Sequence, residues 1–517
     1  MADEDADEYK DLLNWAASRG ITDAPFVGDK PTSIRSTPSL GFSIRIATFP
    51  DAGGRGLAAA RDLKLGELIL RVPEKALMNG RSARLDAELT RALALYPSLS
   101  HVQVLCVHLL REIAKGRTSE RFPYLVHLPR YYHTASFYSP FEAQALQVKD
   151  AVSMAEGVVQ NSREEWLQAR PVLEKLGLGR RFCTLQGWLW AFATISSRTL
   201  YVPWDEAGTL CPVGDFFNYA CPGVPYNLPP TAQDTQMREG DLISEEDVDT
   251  SGGIEIRDRL RDGGFEDERG EYCFYARQDY QEGQQVLLCY GTYTNLELLE
   301  HYGFLLPFNP NDKVHIELPT ADEFNPGAVR PPPEADLLMN LFIDYEGKPS
   351  FSLLSNLRLR AAPATLLKSR HHLALAGQQI SPESDKAVFR WLKSKCEKML
   401  TSCPTSFDVD ELLLAVIDSH PSVAEIQKLL TVYKEDFLPS PTENLELLNA
   451  PEHLQPVILN ELESFIASAP HTETSSTPSW PSDLRLERWR LAIQWRLGYK
   501  KIVRRSISHC SRMLDCD

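Results

Sequence analysis

Tyr290 and Tyr302 are each followed by glycine, in the string Tyr-Gly-x-x-x-Asn-x-x-x-Leu-x-x-Tyr-Gly-Phe that ends at Phe304. A phenol offers a hydrogen-bond donor and an acceptor on one rigid ring. Tyr290 closes the apolar run Gln285-Val286-Leu287-Leu288-Cys289, which reads as a strand. Asn295 then reads as the N-cap of a short helix and Gly303 as the residue that closes it. A tyrosine at a strand end is usually core or rim. Two of them around one capped helix form a more particular arrangement.

Two further motifs carry polar chemistry. Asp215-Phe216-Phe217-Asn218 follows Pro212 and lies among apolar residues. The Asn218 carboxamide there has a donor and an acceptor to satisfy, and a turn-tying role competes with a binding role. Gly54-Arg55-Gly56 follows a strand-like run, where glycine lets a backbone approach a ligand closely. With Leu57-Ala58-Ala59 it forms a G-x-G-x-x-A string, the opening of a dinucleotide-binding helix. That reading requires a βαβ unit. Gly66 and an extended 67–72 segment follow instead, so the motif reads as a hairpin turn.

The elements that must position these residues alternate in character. Helical spacing covers 8–20; strand, turn, strand covers 41–72; helical spacing returns over 78–200, with Val102, Leu105, Leu109 and Ile113 on one face. Short strand-like runs occupy 210–220 and 271–290. Between them, 221–270 is polar, and acidic residues outnumber basic ones 13 to 5 across 231–270, which reads as a flexible loop. Arg330-Pro331-Pro332-Pro333 marks a boundary. Beyond it the chain reads as helical over 383–397, 409–437, 442–468 and 482–508.

Composition narrows the classes. The chain has 517 residues, 43% hydrophobic and 24% charged, the mix of a globular protein of several domains. A net charge of −17 disfavours direct nucleic-acid binding and suits a basic protein segment. No apolar run is long enough to span a membrane. The acidic start, Met1-Ala2-Asp3-Glu4-Asp5, is neither a signal peptide nor a plastid transit peptide, so a cytoplasmic or nuclear location is expected. Lys500, Lys501, Arg504 and Arg505 read as a solvated helix face, with a nuclear signal as the alternative. The ten cysteines form no Cys-x-x-Cys pair and His371-His372 stands alone, so no metal site is expected. Hydrolase and P-loop motifs are absent from the sequence.

The order of the three motifs resembles that of SET-domain methyltransferases. Gly54-Arg-Gly-Leu with Asp62-Leu-Lys-Leu-Gly-Glu and Val72-Pro73 looks like the family's opening, and Asp279-Tyr-Gln-Glu-Gly-Gln-Gln-Val286 like its turn into the last core strand. More narrowly, the chain resembles the branch typified by the Rubisco large-subunit lysine methyltransferase. It has a long helical insertion, the segment Phe122-Pro-Tyr-Leu-Val-His-Leu-Pro129, and a helical C-terminal half with no cysteine-rich motif after the core. The resemblance implies an α+β fold: a SET-type β-fold core over 1–312, split by a helical insertion, then an all-α domain over 313–517 that would bind the protein substrate or, as the alternative, serve as a scaffold covering apolar surface of the core.

It also implies S-adenosylmethionine as cofactor and transfer to a lysine, or a histidine, of a protein, by a monomer. Gly54, Arg55 and Gly56 would lie along the cofactor, with Asn218 and Tyr219 beside it. Arg198 would meet both cofactor and substrate channel, and Asp215 and Tyr302 would line that channel. Tyr290 would be the catalytic tyrosine and touch the cofactor. The family usually has Asn-His where this chain has Asn218-Tyr219, which also motivates the alternative of an inactive SET-fold binding module. Such transfer needs a neutral amine. At pH 7 a lysine, with a pKa of about 10.4, is uphill by roughly 4.6 kcal/mol, which an apolar aromatic channel reduces; a histidine needs less help.

Overall fold

The computed structural model describes residues 8–24, 40–50, 54–221, 262–319, 340–434, 451–469 and 481–515. The chain divides into two compact units, Met1–Tyr132 with Asn161–Thr292, and His133–Gln160 with Tyr293–Asp517. The division falls at 292 where the sequence pattern suggests 312, and part of the expected insertion, 133–160, belongs to the second unit.

The first unit opens with α1 (Lys10–Ser18), β1 (Ile44–Phe49), β2 (Gly54–Ala59) and β3 (Leu68–Pro73). Gly54-Arg55-Gly56 is therefore not only a turn. It begins a strand that pairs along its whole length with β1, Ile44 opposite Ala59 and Phe49 opposite Gly54. The helical segment follows with α2 (His101–Lys115), α3 (Phe122–Leu125), α4 (Lys149–Lys175, of which 161–175 lie in this unit) and α5 (Leu185–Arg198). Reciprocal bonds between Ser100 and Gln103 start α2, and the Thr184 hydroxyl accepts from Gly187 N to start α5. Each buries one face, Leu105 and Leu109 from α2 and Trp188, Leu189 and Ile195 from α5, and the two helices pack against each other.

The remaining strands are β4 (Thr199–Val202), β5 (Asp205–Leu210), β6 (Asn218–Tyr219), β7 (Gly263–Glu266), β8 (Glu271–Tyr275) and β9 (Gln285–Leu288). They form a four-stranded sheet in the order β1-β2-β9-β6, a three-stranded sheet β3-β8-β7, and the pair β4-β5. β7 corrects the loop expected over 221–270: Gly263–Glu266 pairs antiparallel with β8, where Phe265 faces Tyr272. The rest of that stretch, 222–261, lies outside the described residues, as does the proline run at 331–333.

The second unit contains α6 (Asn295–His301), the hairpin β10 (Lys313–His315) with β11 (Phe342–Asp344), and then α7 (Phe351–Ala361), α8 (Ala364–Leu375), α9 (Pro382–Thr401), α10 (Phe407–Ser419), α11 (Val423–Lys434), α12 (Gln455–Ala467) and α13 (Ser482–Asp515). The helix expected over 409–437 is two helices. Pro421 drives His420 out of helical geometry, to φ −127° and ψ 74°, because its ring crowds the preceding residue. Phe465 stacks on Trp489 at 4.5 Å and anchors the core formed by α10, α12 and α13. A second cluster joins Leu353 and Leu357 of α7 to Leu392 of α9 and Val503 of α13.

Two further expectations are corrected here. Thr294, not Asn295, caps α6: its hydroxyl accepts from Glu297 N while Glu297 reaches back to Thr294 N. Asn295 instead ties the loop after the helix, accepting from Leu306 N at 2.8 Å and donating to Leu306 O at 3.0 Å. Gly303 does close the helix, with φ +77° and its N–H donating to Leu298 O. Lys500 is not on a solvated face. It is 1% exposed and paired with Asp410, while Lys501, Arg504 and Arg505 remain exposed.

Candidate active site

The site is assembled in the first unit where β2, β6 and β9 run side by side. β9 pairs with β2 through Leu57 and Val286, and with β6, in parallel, through Asn218–Leu287 and Tyr219–Leu288. This register brings the three motifs together, although about 160 residues separate Gly56 from Asn218. The Asn218 carboxamide donates to Arg55 O at 3.2 Å. A β-carbon on Gly56 would lie 2.7 Å from Asn218 Nδ2 and 2.9 Å from Gln285 Nε2. Glycine at 56 thus lets the ends of the Asn218 and Gln285 side chains approach the backbone closely, and any side chain there would displace them.

Asp215 is delivered by a strained turn. Val213, with φ +70°, holds a left-handed conformation that branched residues avoid, at a cost on the order of 1–3 kcal/mol. Asp215 N then donates back to Cys211 O at 2.8 Å. The Asp215 carboxylate is fully buried and lies 3.3 Å from the Arg198 guanidinium at the end of α5. Arg198 also donates to Asp215 O at 2.9 Å. Tyr124, from α3, donates its hydroxyl to Asp215 Oδ2 at 3.1 Å. Burial raises the Asp215 pKa, opposed by the positive charges of Arg198 and Arg55. Arg198 keeps its charge: burial works against it, but Tyr132, Asp215, Tyr124 and Tyr290 surround it and raise its pKa. Two buried atoms of this pair, Arg198 Nε and Asp215 Oδ1, have no hydrogen-bond partner among the described residues.

Tyr290 follows β9 and donates its hydroxyl to Phe217 O. Burial raises its pKa, so the phenol is neutral at pH 7. Tyr219 packs on Tyr290, ring centroids 5.3 Å apart, and donates to Gly291 O at 2.9 Å. The tyrosine standing in place of the family's histidine therefore fixes the strand end that carries Tyr290. An imidazole is shorter and would not make the same bond. Arg55 lies over the Phe216 ring at 3.8 Å and donates to His127 O at 2.8 Å.

Gly54, Arg55, Gly56, Arg198, Asp215, Asn218, Tyr219 and Tyr290 all belong to the first unit and are linked by these contacts. Tyr302 belongs to the second unit, where it ends α6 and packs on Tyr293 and Phe304, at 5.5 and 6.1 Å. Tyr124 and Tyr132 escape the sequence reading of the site. Tyr132 accepts from Thr194 Oγ1 at 2.9 Å. The one signal for Tyr124 is its place in the Phe122-Pro-Tyr-Leu segment, which carries no role of its own. Among the described residues, no group of His, Cys, Asp and Glu could hold a metal ion, and no helix is long and apolar enough to cross a membrane.

No family model matches the chain. Protein SET DOMAIN GROUP 40 of Arabidopsis thaliana is 41% identical over 513 residues, covering 98% of this chain and 96% of that protein. The actin-histidine N-methyltransferase of Mus musculus is 24% identical over 443 residues, covering 79% of this chain. The chain spans 63% of that enzyme's length. Among solved structures, the SET domain of LSMT bound to lysine and AdoHcy is similar with a TM-score of 0.52 and 16% identity, over 98% of this chain and 91% of that one. Rubisco LSMT bound to sinefungin and monomethyllysine is similar with a TM-score of 0.50, at the same identity, over 98% and 92%. These likenesses give the fold: a SET-type α+β architecture followed by a mostly helical region.

Proposed function

Because this chain belongs to the SET-domain family, we propose that it is an S-adenosylmethionine-dependent protein methyltransferase whose first unit carries the cofactor and whose acceptor is a lysine side chain. The observation that carries this reading is the network that joins Arg198 to Asp215, Asn218 to Arg55 O of β2, and Tyr290 to Phe217 O next to Asn218, with Tyr290 and Asp215 both close enough to Arg198 to act on its charge. The residues fit such a cofactor. Gly54 leaves the space beside its backbone open among the described residues, and Arg198 Nε and Asp215 Oδ1 are buried polar atoms with capacity to spare.

Bound S-adenosylmethionine supplies a methyl group activated by a sulfonium. In this reading Gly54, Arg55 and Gly56 hold it along β2, Asn218 keeps the β2 backbone in place, and the Arg198 guanidinium binds its carboxylate. The permanent charge of Arg198 suits that task. Tyr290 keeps its phenol protonated and aimed. A neutral hydroxyl fixed by Phe217 O would help to align a neutral amine with the methyl group without adding a negative charge. The protein's share of the barrier is alignment and exclusion of water, worth up to about 7–11 kcal/mol in favourable models.

Histidine is the second reading for the acceptor, favoured by the likeness to an actin-histidine N-methyltransferase over 79% of this chain. Two measurements test the proposal. Calorimetric titration with S-adenosylmethionine and its demethylated product is expected to show micromolar binding; a folded protein that binds neither sinks the reading in favour of an inactive binding module. Radiolabelled transfer to cell-extract proteins, followed by amino-acid analysis of the product, is expected to give methyl-lysine. Methylhistidine would replace the acceptor and leave the rest standing. Tyr290→Phe is expected to keep cofactor affinity and lose transfer; wild-type turnover would remove Tyr290 from its role.

A further inference from the structure

In the second unit, α13 contains a glycine that nothing among the described residues requires. Gly498 sits in the middle of the 34-residue helix Ser482–Asp515. Glycine destabilises a helix relative to alanine and is kept where backbone or packing demands it. Neither demand applies here. Gly498 is not among the residues of positive φ, and a β-carbon built on it meets nothing within 4 Å among the described residues. The open space above it is a cleft of about 510 Å³ whose lining includes Trp495 and Tyr499 on α13, Leu414 on α10, and Leu306 and Phe308 after α6. Phe308 is 54% exposed, a large apolar group left in water at the cleft wall.

The charges around the cleft are one-sided. Its carboxylates are turned inward: Glu297 accepts from Thr294 N and Oγ1 at 2.7 and 2.8 Å, and Asp312 from Asn295 N and Nδ2 at 2.5 and 2.8 Å. Its cations are not consumed in the same way. Lys313 and Lys501 are exposed, lie over the Phe342 and Phe407 rings at 5.4 and 5.9 Å, and have no carboxylate partner among the described residues; the exposed Arg505 donates to a carbonyl, Tyr345 O, and its charge also reaches Glu346, which is itself paired with Lys348. In a chain of net charge −17, this is a basic rim around an apolar, aromatic floor.

We propose that this cleft docks an acidic peptide segment of a partner protein, with one apolar side chain seated over Gly498 and flanking carboxylates facing Lys313, Lys501 and Arg505. An apolar anchor in a pocket supplies most of the energy of such an interface, and the cationic rim supplies selectivity and salt dependence. The inference does not rest on methyl transfer, and its test uses no cofactor.

The test selects short peptides, each with a fixed central Phe or Leu and random flanks, on the full-length protein. Flanks enriched in Asp and Glu are expected. The best peptide, fluorescently labelled, is then titrated by anisotropy against variants. Gly498→Trp fills the cleft and is expected to weaken binding by more than about tenfold, with a melting temperature equal to or above wild type because tryptophan is the better helix former. Gly498→Leu is the smaller version of the same change. Lys313→Glu with Lys501→Glu is expected to weaken binding and flatten its salt dependence. Absence of enrichment, basic or uncharged flanks, or undiminished binding to both Gly498 variants would overturn the proposal. So would a dimer in sedimentation that Gly498→Trp dissolves, since the occupant would then be a second copy of the chain.

Discussion

Asp215 and Asp410 are both fully buried carboxylates, one in each unit, and their surroundings differ. Asp410 is saturated. Its Oδ1 takes Thr405 Oγ1 at 2.7 Å and Arg496 Nε at 3.0 Å, and its Oδ2 takes Lys500 Nζ at 2.5 Å. Asp215 uses one oxygen for Tyr124 and Arg198 and leaves the other with no partner among the described residues. A buried charge is expensive unless it is paired and its lone pairs are filled. Asp410 meets that requirement within its own cluster, although Arg488 elsewhere in the second unit, buried and paired with Glu142, leaves Nη1 and Nη2 without a hydrogen bond among the described residues. The first unit leaves it incomplete at the place where the three motifs meet, which is what a site for a polar ligand requires.

The largest effect is expected from breaking the saturated cluster. Asp410→Ala strands Arg496 and Lys500 in the core and should cost about 3–5 kcal/mol in urea unfolding. A loss under about 1 kcal/mol would mean that water reaches the cluster, and the contrast with Asp215 would fall.

Asp215→Asn removes the charge at constant volume. Burial raises the Asp215 pKa, so losing its charge should cost less stability than at Asp410, even though Arg198 loses a paired charge. Methyl transfer should fall by about 100-fold, because Arg198 loses the group that orients it. Equal losses of stability at Asp215 and Asp410 would erase the distinction between site and scaffold.

Opposite pH slopes should follow. Burial, with the Arg488 charge adding to it, lowers the His133 pKa to about 4. The folded second unit holds this histidine neutral, while the unfolded chain takes up a proton below about 6.5. Its contribution is therefore complete above that value and is lost as pH falls towards 4, in all on the order of 3 kcal/mol. Asp215 has the reverse sign: its raised pKa gives a contribution present at low pH and lost as pH rises past the ordinary aspartate range. Unfolding followed from pH 4 to 7 should show a slope that His133→Gln flattens. An unchanged slope would assign it to another group.

The smallest effect separates two single hydroxyls. Tyr219→Phe deletes the bond to Gly291 O, and Thr405→Val deletes a bond to Asp410 Oδ1. Each should cost about 1 kcal/mol of stability. Only Tyr219→Phe should also lower the rate of transfer, because only it loosens the strand end that carries Tyr290.

Local signals were legible wherever neighbouring residues alone decide the outcome. The alternation in β1, the spacing of α2 and α5, the Gly303 closure and the tyrosine at the end of β9 all follow from short-range periodicity and conformational preference. So did the elements of the candidate site, because each motif is a few residues long and the family resemblance supplied their order. Local rules failed where two of them competed. Thr294 outranked Asn295 as a cap because Glu297 stands three residues later and completes the reciprocal bonds. Apolar spacing ran through His420 although Pro421 forbids a helix there.

What the sequence by itself determined is thus a set of elements, an order of motifs and a family. What only the tertiary structure decided is which atoms face one another. Tyr124 reaches Asp215 across 91 positions and Lys500 reaches Asp410 across 90. Nothing in the residue types distinguishes the aspartate with an oxygen left over from the one without. Burial and pairing depend on the whole surrounding fold, and the cost of removing a charge from water is set there rather than by its neighbours in the chain.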